Sequence, residues 1–381
     1  MTKELGQYFT INDNLQQYVF EMVKNRGHKL LEPSFGAGHL LKKFKELDEN
    51  YPMVLFEIDT TINPCVNLNC FQNVTYCNFI QFNTDEKFKT IIGNPPYVKT
   101  GGTNLYIQFI EKCFNMLDYG GEIIFIVPSD FIKLTSASPI IKTMSKSGTF
   151  TNFLFPNDEK LFDNASIDVV VFRYEKDIIE KYTDVNGEKK FCNITNGIIT
   201  FGDSIINGEL LSNVFDVYVG LVSGKDDIYK VPFGNIDILT DENDTQKFIF
   251  IKEFPGSDTE INNYLLTNKQ KLLERRIKKF NENNWFEWGA PRNIKTIEKN
   301  LGRPCIYIRN ITRQKRVAFK GNVTHFGGKL LCLIPKIEID LDDVVEYLNS
   351  DNFKQNYMYA ERFKIGHRQL SNAMIGIKLT H

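Results

Sequence analysis

The stretch "LLEPSFGAGHLL" (residues 30–41) reads as strand, glycine-bearing turn and helix. Its apolar run ends at Glu32-Pro33, glycines follow at positions 36 and 38, and Leu40, Leu41, Phe44 and Leu47 then recur at helical spacing. Glycines let a main chain approach a ligand closely, and the start of a helix offers unpaired N–H groups. The turn lacks the Gly-Lys-Ser/Thr ending of a phosphate-binding P-loop and does not fit the G-x-G-x-x-G dinucleotide pattern. Standing alone, it is also compatible with a turn that holds nothing.

Short apolar runs continue on both sides of further helical patterns. Strands are expected in "KLLEP" (29–33), "MVLFEI" (53–58), "VTYCNF" (74–79), "TIIGNP" (90–95), "EIIFIV" (122–127), "TNFLFP" (151–156) and "IDVVVFRY" (167–174). Leu105, Phe109, Ile110, Phe114 and Leu117 mark a helix between the fourth and fifth. This alternation predicts a doubly wound α/β fold, with an antiparallel pair at the end where no strong helix separates the last two strands. The character changes after Glu175, where Asn-Gly pairs at 186–187, 196–197 and 207–208 announce hairpins. A boundary within 176–200 follows, giving domains at 1–180 and 181–381, the second of α+β type. In it, "KQKLLERRIKKF" (269–280) reads as a helix, as does a stretch around 341–362.

The second strand ends in "FEIDTT", which places Glu57 at a strand's carboxyl edge about 20 residues beyond the glycine turn, where a carboxylate can accept both hydroxyls of a ribose. With a glycine loop that shows no phosphate signature, this fits an adenosine-containing cofactor without a pyrophosphate, as S-adenosylmethionine is.

The fourth strand runs into "IIGNPPYVK" (91–99). Pro95 and Pro96 cannot donate main-chain hydrogen bonds and restrict the residues before them, so the strand stops and a stiff corner follows. Asn94 then sits at the carboxyl end of a strand, where open α/β sheets hold ligands. Its amide oxygen and the Pro95 carbonyl can grip the two hydrogens of an exocyclic amino group and turn its lone pair toward an incoming methyl, which is orientation rather than base catalysis. Tyr97 offers a flat face on which an extruded base would stack. A merely rigid turn is the bland alternative.

The order "GQYFT" (6–10), "LEPSFGAG" (31–38), "FEID" (56–59), "NPPY" (94–97), "NLYIQFIEKCFNMLDYGGEIIFIVPSDF" (104–131) and "KLFDNASIDVVVFRYE" (160–175) resembles the γ-class (N-P-P-Y) DNA adenine-N6 methyltransferases of restriction–modification systems. More faintly, "GLVSGKDDIY" (220–229) is similar to their target-recognition domain. The resemblance implies a Rossmann-like S-adenosylmethionine-dependent catalytic domain over 1–180 and a DNA target-recognition domain over 181–381. It further implies that Thr10 and Glu32 meet the methionine end of the cofactor, Gly36 and Gly38 its backbone contacts, Glu57 its ribose and Phe79 its adenine, with Pro33, Ile58, Asn78 and Asn94 completing that set. Asn94, Pro95, Pro96 and Tyr97 would be catalytic, and Phe162 would line the pocket for a flipped base. Asn78 stands where the family usually has Asp; an amide both donates and accepts, so the adenine contact is kept at lower expected affinity.

The 381 residues suffice for two cores, and 42% hydrophobic with 24% charged residues is ordinary for a globular chain. No apolar run approaches the ~20 residues of a membrane span, and "MTKELGQYFT" lacks a signal-peptide core, so a cytoplasmic location is expected, with no membrane partner. Seven cysteines without a C-x-x-C pair and five unclustered histidines suggest neither disulfides nor a metal. Net charge is only −1, yet residues 261–330 carry sixteen Lys and Arg against four Asp and Glu, a local balance of +12, whereas residues 1–180 balance at −5. Catalysis and polyanion binding are therefore expected on different domains. Candidate DNA contacts are Arg275, Arg276, Lys278, Lys279, Arg309, Arg313, Lys315 and Arg316, although any single one is more often a solvated charge.

The resulting expectation is a monomeric enzyme that moves a methyl group from S-adenosylmethionine to N6 of an adenine flipped from duplex DNA, with a cognate restriction endonuclease as its functional counterpart. Two readings compete with it. N-P-P-Y chemistry also serves rRNA bases and protein glutamine, and a catalytically idle DNA-binding module would share the basic segment.

Overall fold

The structure is a computed structural model that describes residues 8–100, 102–156, 168–203, 208–359 and 362–376. The chain divides into two compact units, Met1–Ile205 and Ile206–His381.

In the first unit the strands are β1 (Leu30–Glu32), β2 (Met53–Glu57), β3 (Gln72–Tyr76), β4 (Phe88–Gly93), the small hairpin β5 (Lys99–Thr100) and β6 (Thr103–Asn104), β7 (Leu117–Pro128), β8 (Gly148–Leu154), β9 (Val169–Lys176), β10 (Tyr182–Val185), β11 (Glu188–Thr195) and β12 (Ile198–Gly202). All but the small hairpin form one ten-stranded sheet in the order β12-β11-β10-β8-β9-β7-β4-β1-β2-β3. β3, β2, β1, β4 and β7 are mutually parallel, whereas β9 runs antiparallel to both β7 and β8. This is the doubly wound, Rossmann-like arrangement expected from the alternating pattern, including its antiparallel end.

The central strands are apolar at nearly every position because both faces are covered. Leu31, Val54, Phe56, Ile91, Ile123 and Phe125 belong to one core with helices α3 (Leu105–Met116) and α4 (Ser138–Ser147). Their chain neighbours Leu30, Met53, Leu55, Ile92 and Ile124 belong to the other, with α1 (Asp13–Met22) and α2 (Lys42–Leu47). The period of two sends alternate residues to opposite faces. The chain just after α1 is tied to the sheet by the fully buried carboxylate of Glu122 on β7. It accepts the main-chain N–H of Lys24 at 2.9 Å and of Asn25 at 2.8 Å, and pairs with Arg173 of β9 at 2.7 Å.

The hairpins after Glu175 join this sheet instead of opening the second unit, so the division falls at 205/206, later than the boundary at 180 drawn from sequence. Their turns are those the Asn-Gly pairs announce. Asn186-Gly187 and Asn196-Gly197 take positive φ at both positions, which only such residues adopt readily. Asn207 of the third pair lies outside the described residues.

The second unit is α+β. Four antiparallel strands, β14 (Phe215–Val219), β20 (Leu330–Pro335), β17 (Pro304–Arg309) and β19 (Ala318–Asn322), carry a core on each face. Around them lie the pairs β15 (Ile236–Asp241) with β16 (Asp244–Phe248) and β13 (Glu209–Leu210) with β23 (Met374–Ile375), and a three-stranded group of β18 (Ile311–Thr312), β22 (Arg362–Lys364) and β21 (Met358–Tyr359). The helix expected over 269–280 stops at Leu273. Arg275 turns inward there and its Nε takes the Leu272 carbonyl at 2.7 Å, which ends the helical ladder. The helix expected around 341–362 ends at Asn349, because Ser350 is extended and caps a separate turn at Asp351–Lys354.

Candidate active site

β1 pairs in parallel with both β2 and β4, so their carboxyl ends, Glu32, Glu57 and Gly93, emerge at one edge of the sheet. The chain order reverses between β1 and β4, which is where an open α/β sheet leaves a crevice.

The glycine turn after β1 is held by Glu57. One carboxylate oxygen accepts the Gly36 N–H at 2.8 Å; the other accepts the N–H groups of Ile58 and Asp59, each at 2.9 Å. Gly36 and Gly38 have φ of +53° and +79°, a region costly for any residue with a Cβ. A Cβ at Gly36 would stand 3.3 Å from the ring of Phe9, and one at Gly38 3.1 Å from Val66. Glu32 is buried, and among the described residues one of its carboxylate oxygens has no partner, nor has the buried Ser34 hydroxyl beside it. Burial, and secondarily the Glu57 carboxylate, push the Glu32 carboxyl well above the usual range. A buried acid with an unmet oxygen, beside a glycine cradle and a carboxylate with spare lone pairs, suits a ligand bearing cationic and hydroxyl groups. Pro33 is buried in the same turn.

Thr10 is buried and reaches the corner at Asn94. The Asn94 Nδ2 donates to its hydroxyl at 3.0 Å and to the Tyr8 carbonyl at 2.7 Å. The Tyr97 hydroxyl lies 2.6 Å from Asn94 Oδ1 and 3.1 Å from the Ile126 carbonyl of β7. Burial, with Tyr106 and Tyr8 adding to it, pushes the Tyr97 phenol well up, so it is a neutral donor. Among the described residues no donor takes the Pro95 carbonyl. Asn94 Oδ1, with a second lone pair, and that carbonyl are thus the acceptors at the corner. Pro95 is buried and Pro96 half-buried. The Tyr97 ring packs inward, stacked on Tyr8 at 5.2 Å and edge-on to Tyr106 at 6.3 Å, so it does not stand out as the free stacking face anticipated.

Phe79 differs more clearly. Only 2% exposed, it is stacked on Phe109 at 5.4 Å, meets Phe56 at 5.1 Å, and has the Lys112 ammonium 4.6 Å from its ring centre. Lys112 is pinned there by the carbonyls of Phe79, Ile80 and Phe82. The ring is a core residue, not a platform. Asn78 is exposed and its oxygen caps the following turn by accepting the Ile80 N–H at 3.1 Å. The apolar groups open at the ends of β2 and β3 are Ile58 and Tyr76, 54% and 47% exposed. Tyr76 was not singled out from sequence, and nor were Tyr8 and Gln16, whose parts are played by a main-chain carbonyl and a buried amide. Phe162 lies outside the described residues.

In the second unit two of the expected DNA-contacting arginines are internal. Arg275 is 7% exposed; it donates to the carbonyls of Leu272, Ser223, Trp285 and Glu287 and lies 3.7 Å from the Phe280 ring centre. Arg309 is buried against Asp241 at 2.6 Å and Glu242 at 3.5 Å. Buried guanidinium groups need such partners, which take most of their donors and hold both side chains inside the unit, away from a phosphate. Arg316 pairs with Glu242 at 2.9 Å and Lys278 with Glu287 at 2.8 Å. Arg276, Lys279, Arg313 and Lys315 are exposed and form no ion pair among the described residues. Arg313 and Lys315 sit on a turn fixed from below, where Arg309 donates to the Arg316 carbonyl at 2.8 Å and Lys354 to the Lys315 carbonyl at 3.3 Å.

Residues 39–162, about a third of the chain, match the family described as Eco57I restriction-modification methylase. The type II methyltransferase M.HincII of Haemophilus influenzae is 30% identical over 196 residues, which are 45% of this chain and 37% of that protein. The modification methylase CviBIII of Paramecium bursaria Chlorella virus NC1A is 23% identical over 296 residues, 71% of this chain and 69% of its own. A cryo-electron microscopy structure of a DrdV–DNA complex superposes over 90% of this chain and 50% of its own at 10% identity, with a TM-score of 0.45. The chain spans little more than a third of the length of the Haemophilus proteins, and over 39–162, the segment that contains the N-P-P-Y corner, it is similar to restriction-modification methylases.

Proposed function

We propose that the chain is an S-adenosylmethionine-dependent DNA adenine-N6 methyltransferase, the modification enzyme of a type II restriction–modification system, with a restriction endonuclease as its counterpart. One observation carries the reading. At the carboxyl end of β4, Asn94 spends both amide hydrogens on the protein and, with the Tyr97 hydroxyl on one lone pair of Oδ1, keeps the other for a ligand, next to a Pro95 carbonyl that no described donor takes.

Bound S-adenosylmethionine supplies an electrophilic methyl on a sulfonium. Glu32 would face its cationic end, Gly36 and Gly38 would admit it to main-chain contact, Glu57 would take the ribose hydroxyls with its spare lone pairs, and Ile58 and Tyr76 would flank its adenine. At the corner, Asn94 Oδ1 and the Pro95 carbonyl accept the two N–H bonds of the substrate amine. That withdraws its lone pair from the ring and aims it, which is catalysis by orientation and by fixed dipoles. An adenine stacked in a duplex cannot present its amine to both oxygens, so the base is taken out of the helix, at a cost of a few kcal/mol that DNA contacts must offset. Exposed Arg276, Lys279, Arg313 and Lys315 on the second unit suit the phosphates.

The test is expression of the full chain in a methylation-deficient host, followed by sequencing of genomic DNA for N6-methyladenine. A single modified motif, lost in Asn94→Ala, is expected. Unmodified DNA together with methylated rRNA or protein would replace this reading with its rival.

A further inference from the structure

We infer that Thr10 and the Tyr8 carbonyl form a positioning element for the Asn94 amide, in which the carbonyl, an acceptor only, sets the polarity and the Thr10 hydroxyl takes the second hydrogen and holds the side chain in place. The inference rests on the methyl-transfer reading and adds to it the device that decides which end of the amide meets the substrate.

A primary amide is nearly symmetric in shape and opposite in character at its two ends, since the oxygen only accepts and the nitrogen only donates. An incoming amine needs the oxygen. If the side chain rotated by half a turn, the corner would present two more N–H bonds to an amine that already carries two, and nothing would hold it. The local structure forbids that rotation. The Tyr8 carbonyl can only accept, and it lies 2.7 Å from Asn94 Nδ2; rotation would set two oxygens against each other with no hydrogen between them. The second amide hydrogen goes to the Thr10 hydroxyl at 3.0 Å, so the nitrogen is fully occupied.

The segment that does this is itself anchored. Thr10 is 4% exposed, and its carbonyl is held at 2.9 Å by the side-chain nitrogen of Gln16, which also takes the Ile11 carbonyl at 3.1 Å. Gln16 is 1% exposed and stands on α1, a helix seated by the fully buried Leu15 and Val19. Glu122 fastens the chain just beyond that helix to the sheet. The orientation of Asn94 is thus referred through Thr10 and Gln16 to the same sheet that carries Asn94 itself. This arrangement gives the threonine hydroxyl a different part from the cofactor contact that the family resemblance implies for it, and the two parts separate in kinetics.

The test uses the full-length protein and three forms: wild type, Thr10→Val, which keeps the shape and removes the hydroxyl, and Thr10→Ser, which restores a hydroxyl. Turnover on methylatable DNA, KM for that DNA and the dissociation constant of S-adenosylmethionine are measured for each. Thr10→Val is expected to lower kcat at least about tenfold, less than the roughly 10²- to 10³-fold that loss of a group in direct contact with the reacting atoms costs, because Thr10 acts through Asn94, with both binding constants within about twofold. Thr10→Ser is expected to recover most of the rate. A second readout needs no substrate. With asparagine labelled by nitrogen-15, and the Asn94 amide resonance assigned by its loss in Asn94→Asp, its two hydrogens should exchange slowly with solvent in wild type and Thr10→Ser and quickly in Thr10→Val. Wild-type kcat in Thr10→Val, loss of cofactor affinity at unchanged kcat, an equal fall in the serine variant, or exchange indifferent to the hydroxyl would each overturn the inference. If wild type methylates no DNA at all, the functional reading falls, while the exchange measurement still decides whether the amide is locked.

Discussion

Arg275 and Arg276 are neighbours with opposite fates, and replacing each by alanine gives a sharp contrast. Arg275 lies inside the second unit, where its guanidinium supplies four hydrogen bonds to main-chain carbonyls of three separate segments, around 223, 272 and 285–287. A hydrogen bond from a charged donor contributes about 1.5–3 kcal/mol net, and a buried acceptor left alone costs about 1–3 kcal/mol. The four are not additive, and some carbonyls would be reached by water in the space the side chain vacates. A loss of about 3–5 kcal/mol is therefore expected for Arg275→Ala, against at most about 0.5 kcal/mol for exposed Arg276→Ala. The chain carries its own probe for the experiment. Its two tryptophans, Trp285 and Trp288, are both buried in this unit, and the Trp285 carbonyl is one of the four acceptors. Urea unfolding followed by tryptophan fluorescence should show the midpoint of Arg275→Ala well below wild type at similar slope, whereas Arg276→Ala should overlay it. Coincident curves for all three proteins would refute the internal role given to Arg275. A lower midpoint for Arg276→Ala alone would do the same.

Other expectations are equally direct. Asn94→Ala should lower methyl transfer by about 10²- to 10³-fold while S-adenosylmethionine binding, followed by calorimetry, stays near wild type, and retained turnover would remove the corner from the mechanism. Burial, and secondarily Glu57, raise the Glu32 carboxyl in the folded state, so between the unfolded and the folded values the folded protein binds more protons there than the unfolded chain. The Glu32 contribution to stability is complete below about 4.3 and is lost as pH rises through the folded value, so Glu32→Gln should gain on wild type toward alkaline pH in urea midpoints measured across the range. Parallel pH profiles would contradict it. Alanine at Arg313 or Lys315 should weaken duplex DNA binding and reduce the slope of log K against log salt by about 1 each, with tryptophan-monitored stability unchanged. The same substitution at Arg309 should instead destabilise the second unit, since Asp241 would lose its guanidinium partner and the Arg316 carbonyl its donor.

The first unit was legible because its signals are local. Runs such as "MVLF" (53–56) and "IIFIV" (123–127) are apolar at every position because both faces are covered, Asn-Gly pairs demand positive φ at two successive residues, and a double proline ends a strand wherever it occurs. The boundary drawn from sequence falls earlier because β10, β11 and β12 are hairpin strands of mixed polarity whose sequences carry no mark of the sheet they extend. The 269–280 segment has helical composition throughout, yet a guanidinium finding four carbonyls outweighs a few tenths of a kcal/mol per residue of helix propensity. Phe79 looked like a platform because it follows a strand end, and only packing reveals that Phe109 and Lys112 already lie against its ring.

Sequence by itself determined what the backbone must do at single positions: a turn that needs glycines at 36 and 38, a strand that cannot pass Pro95, and a carboxylate at 57 placed where β2 ends. Those are steric and covalent restrictions that act within a few residues. Tertiary structure alone decided which way the Asn94 amide faces, which arginines of the basic segment stay in solvent, and that Glu32 is an acid with an unmet oxygen. Each of those depends on an atom tens of residues away, and a hydrogen bond or the loss of water around a charge is settled only when the distant partner has arrived.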